Sequence, residues 1–228
     1  HIGQRPTADE IIAGLFDNQN IKDFMKKHNV SVCGSGAMYT KDFQGFLPKL
    51  MEKMYNERVK WKGQMIEAKK KYQKSKTKKL EYEIAKCNNM QMAKKIQLNS
   101  AYGALGNQYF RFFDTKYAES ITLSGQLSIK WMEVKLNMFL NEKLNTKDVD
   151  YVVAVDTDSL YVVLDKAVEE SGIDQNDTDK VINFLDKLSN QLLEPYIDKS
   201  YKQLADYVGA FEQKMVMKRE NIAERGIW

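Results

Sequence analysis

Two apolar segments flank a short acidic sequence between Tyr151 and Leu164. The segments are rich in valine and tyrosine, and the residues between them, Asp156 to Ser159, are typical of a tight turn. The pattern predicts two buried strands joined by a turn that carries two carboxylates. Neighbouring carboxylates repel each other, and a divalent cation with oxygen ligands commonly neutralises them. A turn-forming cluster without a ligand is the alternative, and the hairpin alone does not distinguish the two.

A long helical hairpin is predicted upstream of this turn. Apolar residues recur at helical spacing from Leu47 to Gln73, with Pro48 near the helix start. A second helix is expected from Leu80 to Tyr102, with Gly103 as its stop, and the lysine-rich sequence Lys74 to Lys79 forms the turn. The two helices are therefore expected to pack antiparallel.

This arm is strongly basic. Ten basic residues and one acid, Glu67, lie between Arg58 and Lys79, and most of the lysines fit a solvated helix face. Arg58 is different because it is in register with the apolar positions, and Lys62 is its neighbour four residues later. Folding the hairpin about its turn brings Arg58 beside Lys95. These cations predict an anion clamp suited to a polyphosphate.

The remaining segments predict a framework of helices with short strands, so the fold class is α+β. We expect helices at Ala8 to Phe16, Ile21 to Lys27, Lys116 to Leu144 and Asp179 to Val208, the last broken or kinked at Pro195. A small hairpin is expected at Val30 to Cys33 and Ala37 to Thr40, and an extended piece at Phe211 to Arg219.

Net charge, apolar segments and cysteine spacing limit the classes of protein to which this chain can belong. A net charge of +4 is only mildly basic, so the average charge says little about partners. No long apolar segment or signal-type start is present, which predicts a cytosolic protein with no membrane partner. Cys33 and Cys87 have no metal-type spacing and are expected to be reduced packing residues. His1 is expected to be the edge of a larger protein.

Two motifs together resemble those of the family B (polymerase-alpha-like) DNA polymerases, in particular the replicative polymerases of T-even-type bacteriophages. Lys-x-x-x-Asn-Ser-x-Tyr-Gly, from Lys95 to Gly103, resembles their fingers motif, and Asp-Thr-Asp-Ser, from Asp156 to Ser159, resembles their second metal-binding palm motif. Their order, with a long helix between them, strengthens the resemblance. Asn56 to Lys62 is similar to the first fingers helix of the phage enzymes, and Lys218 to Ala223 to a late palm strand.

The resemblance implies two-metal nucleotidyl transfer, in which a primer 3′-hydroxyl attacks the alpha phosphate of a dNTP and pyrophosphate leaves. Two Mg²⁺ ions are the expected cofactors. Asp158 would be the main metal ligand, Asp156 a neighbouring carboxylate with a weaker claim, and Glu220 a candidate third one. Lys95 is counted with the two aspartates as catalytic.

Nucleotide-binding roles are implied for the arm. Arg58, Lys62 and Lys95 would hold the incoming triphosphate. Asn99 and Tyr102, on the same helix face as Lys95, would lie under the nascent base pair.

The expected domains are a palm-side segment at 1–46, the fingers at 47–104 and an incomplete palm at 105–228. A phage-encoded protein of this kind would act in the host bacterial cytoplasm.

The sequence also departs from the family pattern. Val155 occupies a position that is commonly glycine, and no Asp-x-x-Ser-Leu-Tyr-Pro element, which supplies the other metal-binding aspartate, occurs in the 228 residues. We therefore expect this polypeptide to be inactive or nearly so by itself. Its expected partners are primer-template DNA, dNTP, and the remaining palm, thumb and exonuclease portions, with a sliding clamp as a further candidate.

Two other functions stay open on the sequence. An Asp-x-Asp at a strand end also serves nucleotide-sugar glycosyltransferases, although a long cationic hairpin has no evident role in them. A non-enzymatic nucleic-acid-binding module could be built on the lysine-rich arm.

Overall fold

Residues 5–226 are described by a computed structural model, and within this range the chain forms eight α-helices and two antiparallel two-stranded sheets. The elements are α1 (Ala8–Ile12), a 3₁₀ turn (Leu15–Asp17), α2 (Gln19–His28), β1 (Val30–Val32), β2 (Met38–Thr40), α3 (Phe46–Lys74), α4 (Lys78–Leu105), α5 (Thr115–Lys143), β3 (Val152–Asp156), β4 (Ser159–Val162), α6 (Asp165–Glu170), α7 (Thr178–Leu188), a π-helical segment (Ser189–Leu193) and α8 (Glu194–Tyr207). The predicted α+β class and the long helix pair are confirmed.

The chain divides into two compact units. The helical arm comprises Asp42–Glu119 and contains α3 and α4. The sheet-bearing unit comprises the chain up to Lys41 together with the chain from Ser120 onward. None of the described helices combines the length and the apolar content needed to cross a membrane.

The helical arm is a helical hairpin with a short turn. Its two helices are 29 and 28 residues long and are joined by Ser75 to Thr77, inside the predicted turn. The Thr77 side chain accepts a hydrogen bond from the Leu80 backbone N–H and so caps α4. Gly103 does not end α4, contrary to expectation. The helix continues to Leu105, because a glycine can keep helical dihedral angles, and Gly106 caps it.

Helix α5 is the centre of the sheet-bearing unit. Its apolar stripe divides between two buried clusters, one around Met132, Leu136 and Phe139 and the other around Leu127 and Trp131. Helix α8 contributes to both clusters. Packing on both sides of α5 therefore holds the two sheets and the terminal helices in one body.

Other boundaries depart from the sequence predictions. The first helix ends at Ile12 because Gly14 adopts a left-handed conformation, with φ +104°. Helix α6 was not predicted. The chain stays helical through Pro195. A π-helical segment ends at Leu193 and α8 begins at Glu194, so the proline lies in the first turn of α8, where its missing N–H is tolerated. The segment from Phe211 to Arg219 forms no strand in the described part of the chain. His1 lies outside the described residues.

The turn between β1 and β2 approaches the backbone of α5 very closely. The Gly34 N–H donates to the Ser124 hydroxyl at 3.1 Å, and Ser35 and Ser120 hydroxyls lie 2.9 Å apart. A β-carbon placed on Gly34 would lie 2.4 Å from the carbonyl oxygen of Leu123. Only glycine fits this contact, because backbone on both sides limits any adjustment.

We predict that Gly34→Ala lowers the free energy of unfolding by about 2 to 3 kcal/mol, since the added methyl must separate the turn from α5. Gly125→Ala is the matched control, because no atom lies within 4 Å of its added carbon. In a helix interior this change is expected to stabilise by about 0.5 kcal/mol. Urea titration followed by tryptophan fluorescence measures both. Equal stability of the Gly34 variant and the wild type would contradict the close contact.

Candidate functional site

The acidic turn has a tightly defined backbone. Strands β3 and β4 pair antiparallel, with Asp156 opposite Ser159, and Thr157 adopts a left-handed conformation at φ +53°. The Asp158 N–H donates to the Asp156 carbonyl at 2.6 Å, and the Ser159 hydroxyl donates to the same oxygen at 3.1 Å. These hydrogen bonds fix the backbone of Asp156 and Asp158, the two predicted metal ligands.

Both carboxylates are exposed, and no lysine or arginine in residues 5–226 forms an ion pair with either. The Asp156 carboxylate accepts a hydrogen bond from the Thr157 hydroxyl at 3.0 Å. Most oxygen lone pairs at the turn therefore remain available. Two carboxylates with accessible oxygens are the donor set that Mg²⁺ prefers, so these residues fit part of a magnesium site.

The pKa of one buried tyrosine, Tyr201, is affected by the charge of the acidic turn. Tyr201 of α8 is 3% exposed and belongs to the cluster around Met132. Burial raises the pKa of the Tyr201 phenol, and the negative charge of Asp158 raises it further. The Tyr201 phenol therefore stays protonated at neutral pH.

Two asparagines on α5 hold the start of the acidic hairpin. The Asn137 side-chain oxygen accepts from the backbone N–H groups of Tyr151 and Val152 at 2.9 and 3.1 Å. The Asn141 side-chain N–H donates to the carbonyl of Val149 at 2.7 Å. No prediction from the sequence included this function of the two asparagines. The i, i+4 spacing of the asparagines on an otherwise apolar helix face was the available signal.

The predicted third carboxylate is not grouped with the other two. Within residues 5–226 no three carboxylate, imidazole or thiolate groups converge as a metal-binding cluster, so Glu220 is not gathered with Asp156 and Asp158. Its side chain is exposed. The metal-binding function of Glu220 stays a prediction.

The chain just before Glu220 is anchored to α7 and α8. The Arg219 guanidinium pairs with Asp186, and its backbone N–H donates to the Glu194 carboxylate at 3.3 Å. Residues eight apart on an α-helix differ in direction by about 80°. The intervening π-helical segment rotates less per residue, which reduces this offset and lets both acids reach Arg219.

The helical arm has an ion pair beside the predicted anion clamp. Lys94 Nζ lies 2.7 Å from a Glu57 carboxylate oxygen and joins α4 to α3. The partners directly precede Lys95 and Arg58 in sequence. The pair therefore places Arg58 and Lys95 at one level of the hairpin, which is consistent with the predicted clamp. Direct contact between these two residues stays a prediction.

The clamp residues differ in exposure. Arg58 is half-buried, and its Nε atom is buried with no hydrogen-bond partner in the described part of the chain. A buried guanidinium N–H without a partner is costly, so a bound acceptor would relieve it. Lys62, Lys95 and Asn99 are exposed. Tyr102 is 46% exposed on the same helix.

The predicted residues therefore fall into two sets. Asp156, Asp158 and Glu220 belong to the sheet-bearing unit, and the remainder belong to the helical arm. The arm residues are Arg58, Lys62, Lys95, Asn99 and Tyr102. Each set has a defined chemistry, the first suited to a cation and the second to an anion.

This chain belongs to DNA polymerase family B, because the sequence model of that family matches residues 13–204. The match includes both the acidic turn and the fingers-like motif. The resemblance inferred from these motifs is thereby confirmed.

Similar proteins come from phages and archaea. The chain is 32% identical to the DNA-directed DNA polymerase of Enterobacteria phage T4 and 30% identical to that of Escherichia phage RB69, in each case over 97% of this chain and 30% of the relative. A DNA polymerase of Pyrococcus glycovorans is 33% identical over 58% of this chain and 15% of the relative. The chain thus spans about 30% of the length of the phage relatives. Both phage alignments run over 270 residues, so these relatives contain insertions relative to this chain.

The Glu57–Lys94 ion pair generates a pH-dependent prediction. The hydrogen bond from Lys94 lowers the pKa of Glu57 below its ordinary value of 4.5. The stabilisation is therefore present above pH 4.5 and lost as pH falls through the lowered pKa. We expect Glu57→Gln to lower the urea midpoint at pH 6 and to have no effect once the pH is below that pKa.

Glu67→Gln is the control for this experiment, since Glu67 is an exposed acid on the same helix without an ion pair in the described residues. Its urea midpoint should match the wild type at both pH values. A Glu57 variant with an equal deficit at both values would show that the ion pair does not contribute.

Proposed function

We propose that this chain supplies the fingers and much of the palm of a template-directed DNA polymerase that transfers dNTP to a primer 3′-hydroxyl. The observation that carries the proposal is the family B match over residues 13–204, which includes an acidic turn and a basic arm of complementary chemistry. The corresponding domains are 1–46 on the palm side, 47–104 as fingers and 105–228 as the incomplete palm. Primer-template DNA and dNTP are the substrates.

The acidic turn is proposed as the metal-binding half of the site. Asp158 would be the main ligand of Mg²⁺ and Asp156 an adjacent one, with Glu220 as a candidate third. The chemistry supplied by two bound Mg²⁺ ions is activation of the attacking hydroxyl and neutralisation of phosphate charge. The chain's own contribution is a fixed turn backbone, with Asn137 and Asn141 holding the hairpin on α5.

The basic arm is proposed as the nucleotide-binding half. Arg58, Lys62 and Lys95 would hold the triphosphate, and Lys95 would also stabilise the charge that develops on the leaving pyrophosphate. The Arg58 Nε, which is buried without a partner in the described residues, supports this function, because a phosphate oxygen would satisfy it. Asn99 and Tyr102 would contact the nascent base pair.

The complete site requires residues that these 228 do not provide. They contain no Asp-x-x-Ser-Leu-Tyr-Pro element. We propose that the second metal-binding aspartate comes from a remaining palm portion, in the same natural chain or a separate one. A thumb, an exonuclease and a sliding clamp are further proposed partners.

A nucleic-acid-binding module without catalysis is the second candidate, because the lysine-rich arm would bind DNA whether or not the acidic turn binds metal. Family membership favours nucleotidyl transfer over the glycosyltransferase alternative.

Primer extension is the direct test. The 228-residue polypeptide alone should give no measurable synthesis. Addition of a polypeptide carrying an Asp-x-x-Ser-Leu-Tyr-Pro element should give primer extension in the presence of Mg²⁺.

In this two-polypeptide mixture, Asp158→Asn should lower the rate of primer extension by about a hundredfold or more, since a metal ligand is lost. Asp165→Asn, an exposed acid in the same unit, is the matched control and should leave the rate unchanged. Robust synthesis by the chain alone would refute the requirement for a partner.

Calorimetric titration with dNTP tests the arm. We expect Lys95→Ala to weaken dNTP binding in the presence of Mg²⁺ by about tenfold or more, because a charge-assisted hydrogen bond to phosphate is removed. Lys95→Arg should retain part of the affinity. Lys69→Ala removes an exposed lysine of the same arm and should have little effect. If neither Lys95→Ala nor Asp158→Asn alters binding of dNTP and Mg²⁺, the non-catalytic module becomes the better proposal.

A further inference from the structure

The end of the helical arm at which α3 and α4 are joined carries a lysine-rich surface with an exposed aromatic ring. Tyr82 lies in the second turn of α4 and is 71% exposed. Lys78 and Lys86 lie four residues before and after it, and Lys79 lies three residues before it, so all four side chains share one helix face. We call Lys78, Lys79, Tyr82 and Lys86 the Tyr82 face.

Packing within the arm does not account for this face. The inward side of α4 is formed by Leu80, Ile84, Cys87 and Gln91, which are buried or half-buried. At about 100° per residue, Tyr82 is directed roughly opposite to this side. An exposed tyrosine so placed contributes little to the stability of the hairpin.

Neither the helix dipole nor ion pairs account for the lysines of the Tyr82 face. Lys78 and Lys79 occupy the first turn of a 28-residue helix, where the macrodipole disfavours cations. Glu81 is the acid of that turn, and it accepts a hydrogen bond from the Tyr72 hydroxyl at 2.5 Å. Lys78, Lys79 and Lys86 form no ion pair within the described residues.

The end of α3 adds to the positive field at the tip of the arm. Lys70, Lys71 and Lys74 are exposed in its last two turns, and Lys76 is exposed in the connecting turn. Local departures from the best helix chemistry are expected at functional surfaces. The chemistry that complements this surface is a polyanion with flat apolar groups.

We propose that the Tyr82 face binds single-stranded DNA, with a base stacked on the Tyr82 ring and the lysines contacting the phosphates. Unpaired bases are required because bases stacked within a duplex do not present a free face to an aromatic ring. An acidic protein would satisfy the lysines but not the ring. Identification of the strand as template rests on the proposed function, whereas binding itself does not.

Fluorescence anisotropy with a labelled oligothymidylate and the full 228-residue chain tests the proposal over a range of salt concentrations. For single strands the slope of log K against log salt is about −0.7 per phosphate contact. Replacing Lys78, Lys79 and Lys86 by glutamine should therefore make the slope less steep by about 2. Tyr82→Ala should lower the affinity by about tenfold with an unchanged slope, and Tyr82→Phe should retain the affinity.

The matched control replaces three exposed lysines of the sheet-bearing unit, Lys147, Lys199 and Lys202, by glutamine. It changes the net charge equally and should leave the slope close to that of the wild type. Circular dichroism of all variants should show unchanged helix content, because every substituted residue is exposed and glutamine is a good helix former.

Three results would overturn the proposal. The control variant could make the slope less steep by as much as the Tyr82-face variant does, or Tyr82→Ala could leave the affinity for oligothymidylate unchanged. A polyglutamate competitor could also displace the chain as effectively as oligothymidylate, which would indicate an acidic protein partner. Failure of primer extension in the mixture that also contains the Asp-x-x-Ser-Leu-Tyr-Pro polypeptide, with intact oligothymidylate binding, would reject the proposed polymerase activity alone. Intact extension with binding insensitive to the Tyr82 face would reject this inference alone.

Discussion

The position of the acidic turn depends on the contact between α5 and the chain that enters β3. Asn137 accepts two backbone hydrogen bonds there, and Tyr151 and Val152 are buried in the same place. A two-stranded sheet is marginal by itself in water, so its stability must come from packing on a helix. The rigidity of α5 is thereby transmitted to Asp156 and Asp158, which are themselves exposed.

The two predicted parts of the site use opposite physical strategies. The acidic turn presents two exposed carboxylates on a backbone fixed by hydrogen bonds. The arm instead holds Arg58 partly out of water. In this surrounding the guanidinium attracts an anion more strongly, and removing it from water also costs free energy. Under the proposed function these strategies have a common interpretation, since nucleotidyl transfer requires both a bound cation and a triphosphate.

The helical arm could be predicted closely from the sequence, because its pattern extends over two long helices. The predicted Leu47 to Gln73 is observed as Phe46–Lys74, a difference of one residue at each end. The strands around Asp156 were equally accessible, since two valine-rich segments flank a short run of turn residues. Gly103 was misread as a stop because glycine permits a helix end without requiring one.

Other features depend on contacts between residues far apart in sequence. The approach of Gly34 to Leu123 and the binding of Arg219 by Asp186 and Glu194 could not be predicted, because no local pattern records them. The same holds for the proximity of Asp158 to Tyr201. Of the candidate site, the residue types and their local register were predictable, and the surroundings that tune them were not.

The hairpin of β3 and β4 has consequences for how the protein behaves in solution. In residues 5–226 no further strand pairs with either of its outer edges, and Val153 in β3 and Val163, the residue after β4, are exposed. Open edges with apolar side chains recruit strands from other molecules. Self-association of the purified chain should therefore increase with protein concentration.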